Sequence, residues 1–176
     1  MTFTTTTPHV LIVAALAMFV FTGCAATADT TEPGATAATT AAESLTITDP
    51  WVKAADTGMS AAFGTLENTS DTDINVVSAT SSSATTMELH ETVSDSAGVI
   101  VMQQKEGGFV VPANGSYELA PGANHLMMMG LTAPLIAGVD ATFTLALSDG
   151  STCEFTAPAK DYSGANENYD DSETNK

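Results

Sequence analysis

Between Ser44 and Lys160 no window keeps apolar residues at helical spacing, and short alternating runs separated by turn residues recur instead. Alternation with a period of two is the mark of strands with one face in and one face out. The expected strands are Leu45–Thr48, Ala61–Asn68, Ile74–Ala79, Thr86–Glu91, Val99–Gln104, Phe109–Val111, Ser116–Leu119, His125–Met129, Ala141–Leu147 and Thr152–Thr156. Ser70-Asp71, Gly107-Gly108, Asn114-Gly115, Pro121-Gly122 and Asp149-Gly150 punctuate them. Gly supplies positive φ there, and Asn, Asp and Ser bond back to the chain. Asp149-Gly150 between two alternating runs is the clearest hairpin tip. Many closely spaced strands with no helices predict an all-β, antiparallel sandwich or barrel.

The flanks have a different composition. Val10 to Phe21 is an apolar run of twelve residues, too short to span a bilayer comfortably and the right length for a signal-peptide core. It runs into Phe21-Thr22-Gly23-Cys24, where small residues before a cysteine resemble a bacterial lipobox. Residues 1–23 are therefore expected to be a lipoprotein signal peptide, with Cys24 lipidated. Such an anchor fixes a protein to the outer face of a bacterial cell membrane. Residues 24–43 are mostly Ala, Thr, Pro and Gly, and are expected to form a flexible tether. Residues 161–176 are polar and acidic, and are expected to be a disordered tail.

Charge narrows the function. The formal net charge is −17, from 21 acidic residues against 4 basic ones. No basic patch can form to meet phosphates, so nucleic acid is not an expected partner. Docking on anionic lipid by charge is excluded for the same reason. No nucleophile–base pattern stands out, and an enzyme is not expected. Asp71-Thr72-Asp73 lacks the further ligands a calcium loop needs. Cys153 falls mid-strand beside Phe155 and reads as a small buried hydrophobe, with metal ligation as the sharper alternative.

The chemistry concentrates in soft donors. Beyond the apolar N-terminal segment stand only two of the 3 histidines and six of the 8 methionines. His90 lies in Met87-Glu88-Leu89-His90-Glu91, and His125 in His125-Leu126-Met127-Met128-Met129-Gly130. On a strand, residues i and i+2 share a face about 7 Å apart. His125 and Met127 therefore stand side by side, as do Glu88 and His90, while Leu89, Leu126 and Met128 turn to the core. Thioether sulfur is soft and uncharged; it suits Cu(I) and binds Zn(II), Mg(II) or Ca(II) poorly. His90, Met102, His125 and Met127 are thus expected to form one soft-metal site, for Cu(I), with no thiolate to make the ion hard to exchange. Met129, on the face of Met127, and Met59, just before a strand, are reserve donors.

The order His, eleven residues, Met, twenty-two residues, His, one residue, Met resembles the signature of the PCuAC family of extracytoplasmic copper chaperones. Trp51-Val52-Lys53-Ala54 is similar to that family's opening Trp-Val-Arg-Ala. The segments around His90 and His125 are similar to its two histidine strands. The likeness covers about Leu45 to Pro158. It departs at Glu91 and Thr92, where the family often carries Met, and in a Met-to-His spacing one residue longer than usual. The resemblance implies a cupredoxin-like Greek-key β-sandwich over residues 44–160. It also implies transfer of Cu(I) to a client cuproprotein, either cytochrome c oxidase at its dinuclear copper centre or another copper chaperone. The competing readings are a blue-copper-like electron carrier, which would need Cys153 as a thiolate ligand, and a metal-free structural surface lipoprotein.

Overall fold

A computed structural model describes residues 39–94 and 98–163. The expected signal peptide, Cys24, most of the tether and the tail from residue 164 onward lie outside the described residues. Ten strands form: β1 (Leu45–Lys53), β2 (Met59–Asn68), β3 (Ile74–Thr80), β4 (Ala84–Ser94), β5 (Ile100–Gln104), β6 (Phe109–Val111), β7 (Ser116–Leu119), β8 (His125–Leu131), β9 (Asp140–Leu147) and β10 (Thr152–Lys160). Each contains or closely overlaps an expected strand. One layer runs β5-β4-β8-β2-β1, with β7 also on β2, and continues through β1 into a second layer, β10-β9-β3-β6.

The join between layers is where the all-antiparallel expectation needs correcting. β1 and β10 pair in parallel, Val52 with Ala159 and Lys53 with Lys160. The pairing is possible because β1 continues past the expected end at Thr48. Pro50 cannot donate to a ladder, and the strand crosses it on a bulge between Thr48 and Trp51, with Asp49 at φ 49°. Opposite the bulge, Gly64 has φ 147°, and a Cβ there would lie 3.1 Å from the Pro50 Cα. Only glycine lets the two backbones come so close.

The core lies between the layers. Leu66, Val76, Phe109, Val111, Leu126, Met128, Phe143 and Leu145 are all buried in it. Phe143 stacks on Phe155 at 5.1 Å and Phe109 on Tyr117 at 5.0 Å. Each such side chain contributes about 1.5–3 kcal/mol of burial free energy.

A second difference from expectation lies at the start. Ala41–Ser44 make one helical turn, α1, in residues the sequence places largely in the tether. One turn is too short to show periodicity or to stand alone. The hairpin tip between β9 and β10 holds it: Asp149 Oδ2 accepts from Ala41 N–H at 2.8 Å, and Ser151 Oγ from Ala42 N–H at 3.2 Å. Two of the orphan donors at a helix start are thereby satisfied. Among the described residues no helix is long and apolar enough to cross a membrane.

Candidate metal centre

β8 carries four consecutive buried residues, His125, Leu126, Met127 and Met128. Side chains alternate along a strand, so β8 is covered on both faces. Leu126 and Met128 enter the core with Leu89 and Ala62, and His125 and Met127 do not. They occupy the other face of the layer, both at 0% exposure.

Register brings the remaining donors to that face. On β4, His90 stands directly opposite His125, and Glu88 opposite Met127. On β5, Gln104 is opposite His90 and Met102 opposite Thr92. Cross-strand partners share a face, so Met102 lies diagonal to His90 on the side of both histidines. The His90 and His125 rings are 5.4 Å apart, centroid to centroid, at 58°. His90 is 8% exposed, and Met102 is half-buried at the rim. All four expected residues thus meet on one face.

The hydrogen bonds set which ring nitrogens carry lone pairs. His90 Nε2 lies 2.8 Å from Glu88 Oε2. A carboxylate only accepts, so Nε2–H donates and the lone pair of neutral His90 is on Nδ1. His125 Nδ1 lies 2.9 Å from the Ala123 carbonyl, which places its lone pair on Nε2. Such outer partners fix ring orientation and raise the basicity of the opposite nitrogen. Thr92 Oγ1 also donates to the Ala123 carbonyl, at 3.1 Å. An aromatic wall closes the β1 side: Phe63 is 6.1 Å from His125, Trp51 is 4.5 Å from Phe63, and Tyr162 is 5.2 Å from Trp51.

Sequence reasoning placed Glu88 on the face of His90 but gave it no role. It gave none to Thr92, Phe63 or the Ala123 carbonyl either. Alternation alone puts Thr92 beside His90. The carbonyl contact depends on how the Pro121-Gly122 turn folds back, which no local pattern reports. The reserve donors share the face too, with Met59 directly opposite Met129. Cys153 does not. It sits on β10 opposite Leu145, in the second layer, with Sγ 3.7 Å from the Leu45 carbonyl, and burial pushes its thiol pKa up. Among the described residues, no three His, Cys, Asp or Glu side chains cluster in a way that could hold a metal ion.

Fold and face together define a small cupredoxin-like β-sandwich with an imidazole and thioether array on one sheet. The chain belongs to the LpqE-like family of PCuAC type: the family model "Putative lipoprotein LpqE-like" matches residues 45–159. It is 50% identical over 128 residues to "Putative lipoprotein Lxx21020" of Leifsonia xyli subsp. xyli (strain CTCB07), covering 73% of this chain and 76% of that one. Its fold matches the copper-bound PCuAC domain from PmoF2 with a TM-score of 0.56 at 16% identity, covering 68% of this chain and 94% of that domain. It also matches the solution structure of CuI-DR1885 from Deinococcus radiodurans with a TM-score of 0.52 at 32% identity, covering 68% and 81%.

Proposed function

We propose that the protein is a copper chaperone that holds Cu(I) through His90, Met102, His125 and Met127, outside the cytoplasm, on a lipid anchor at Cys24. The observation that carries this reading is the direct pairing of His90 with His125 on a face that also bears Met127 and Met102. The donor set fits the ion. Two neutral imidazole nitrogens and two thioethers are soft or borderline ligands, and they carry no charge that would favour a hard cation. Relatives agree: DR1885 was solved with Cu(I), and the PmoF2 domain with copper.

The cargo is bound and released, and the protein is not an enzyme. Each residue has a separate task. His125 and Met127, fully buried, hold the ion on the central strand. His90 completes the pair from β4, oriented by Glu88. Met102, half-buried on the edge pairing of β5 with β4, is the donor a client can displace first. The absence of a thiolate keeps release accessible. The client, by resemblance, is the dinuclear copper centre of cytochrome c oxidase or a second chaperone that serves it. The lipoprotein relative supports an anchored, extracytoplasmic setting.

The test is competition for Cu(I) against a chromogenic Cu(I) chelator. The parent chain should take one equivalent tightly, and His90→Ala with His125→Ala should lose that equivalent. Unchanged affinity in the double variant would sink the site. Cys153→Ala should bind as the parent does; loss of binding there, with strong visible absorption on adding Cu(II) to the parent, would favour the blue-copper reading instead.

A further inference from the structure

A centre with two donors at 0% exposure poses a question of access, and the same sheet face supplies a path to it. Met59 opens β2, is 39% exposed, and stands directly opposite Met129 on β8. Met129 is half-buried, and two residues along the same strand and face lies Met127, fully buried beside His125. The three thioethers therefore descend in steps from solvent to the inner site. Cross-strand partners have Cβ atoms about 5 Å apart, and i, i+2 neighbours are about 7 Å apart. Methionine, unbranched with three rotatable bonds, can bridge both steps. The neighbours on this face are Ala61 on β2 and Glu88 on β4, both opposite Met127, and Thr86, exposed and opposite Met129; Ala61 is small, and the Glu88 carboxylate is engaged by His90 at 2.8 Å.

We propose that Met59 and Met129 form an outer bis-thioether site for monovalent soft cations, Cu(I) above all, which loads the inner site along β8. The inference rests on the reading of this face as a Cu(I) carrier and adds a second, weaker site and a direction of travel. Two thioethers without an imidazole hold the ion less firmly than the inner set, and passage inward is then downhill. The steps are ligand exchanges: a Cu(I)–sulfur bond to Met59 or Met129 breaks as one to Met127 forms, with no change of oxidation state. At Met59 a polar residue would be tolerated in solvent, and an apolar thioether opposite a second thioether is what the proposal explains.

The experiment uses the full-length chain labelled with ¹³C at the methionine methyls, titrated with Ag(I) as a redox-inert stand-in and then with Cu(I). Expected are shifts of the Met102 and Met127 methyls with the first equivalent, and of Met59 and Met129 together with the second. Both substitutions in Met59→Leu, Met129→Leu preserve bulk, so folding is retained. That variant should keep the inner affinity, while loading from a Cu(I)–chelate donor slows by about tenfold or more, the scale seen when a ligand-supporting group is lost. Met59 and Met129 methyls unmoved by excess Ag(I), or an unchanged loading rate in the variant, would overturn the proposal. The His90→Ala, His125→Ala protein separates the two readings. If Met59 and Met129 still respond there, the outer site stands on its own; if they respond in the parent while Met102 and Met127 never do, the inner site fails and the outer one survives.

Discussion

Thr92 and His125 donate to one acceptor, the Ala123 carbonyl, at 3.1 and 2.9 Å. The shared oxygen ties the strand that carries His90 to the turn that precedes His125. It also fixes the tautomer that leaves the His125 Nε2 lone pair for a ligand. Thr92 is thus a positioning residue. Thr92→Val keeps the shape and removes the donor, and Cu(I) affinity should fall by about 3- to 10-fold, the worth of one net hydrogen bond. Thr92→Ser should restore it. The ¹⁵N shifts of His125 in the metal-free protein serve as the control: the Ala123 carbonyl accepts from Nδ1–H in every variant, so one tautomer is expected throughout while the affinity changes. Equal Cu(I) affinity in the valine variant would show that the Thr92 hydroxyl does not position the carbonyl.

At the proposed site, copper and protons compete for the same two imidazole nitrogens. Binding must release any proton held there, so affinity falls with acidity. The thioethers of Met102 and Met127 bind no proton and give no such dependence. Measured by chelator competition from about pH 8 to about pH 5, the Cu(I) affinity of the parent should drop towards the acid end. His90→Met, which exchanges an imidazole for a thioether, should flatten the curve. A profile without slope would exclude histidine ligation.

The strands were legible in the sequence because this sheet has two different faces. Leu89, Leu126 and Met128 alternate with His90, His125 and Met127, and the period of two gives both the strand and its sides. Less legible was what depends on partners far along the chain. Nothing near Trp51 announces that β1 passes Pro50 and joins β10 in parallel, because the register is set by Ala159 and Lys160. The helical turn Ala41–Ser44 takes its support from Asp149 and Ser151, more than a hundred residues away. Spacing grouped the four candidate donors, which the register places on one face, whereas the depth of His125 and Met127 was not foreseen. Alternation separates two faces without saying whether the second is covered.

The Asp149 carboxylate makes the hairpin tip sensitive to acid. Its pKa lies below the usual carboxylate value, chiefly through the hydrogen bond from the Ser151 side chain and then through the backbone N–H groups of Ala41 and Ser151. A depressed folded-state pKa means stability that is present above the unfolded-state value and is lost as pH falls through the folded-state one. Asp149→Ala should therefore lower Tm modestly at neutral pH, and the gap to the parent should narrow below about pH 4, where the parent loses the same interaction. Thermal unfolding by circular dichroism at several pH values checks this. A gap independent of pH would assign the effect to the turn backbone instead.

Two adjacent glycines separate backbone strain from steric exclusion. Gly107 and Gly108, between β5 and β6, have φ of 81° and 85°, so either would strain an L residue. Around Gly107 no atom lies within 4 Å of where a Cβ would be, whereas at Gly108 a Cβ would lie 2.2 Å from the Val76 carbonyl oxygen and 2.8 Å from Asn75 Oδ1. Those contacts are fixed by the pairing of β3 with β6, where Val76 is partnered by Phe109. Gly107→Ala should cost about 1–2 kcal/mol, the left-handed penalty alone. Gly108→Ala adds a clash with backbone that cannot swing away, and its cost should exceed about 4 kcal/mol, the range reached only by exceptional single substitutions. Urea unfolding of the two variants, compared by midpoint at constant slope, measures the difference. Equal losses would mean that β6 can detach from β3 without disturbing the core, and that Phe109 anchors the edge less firmly than its complete burial implies.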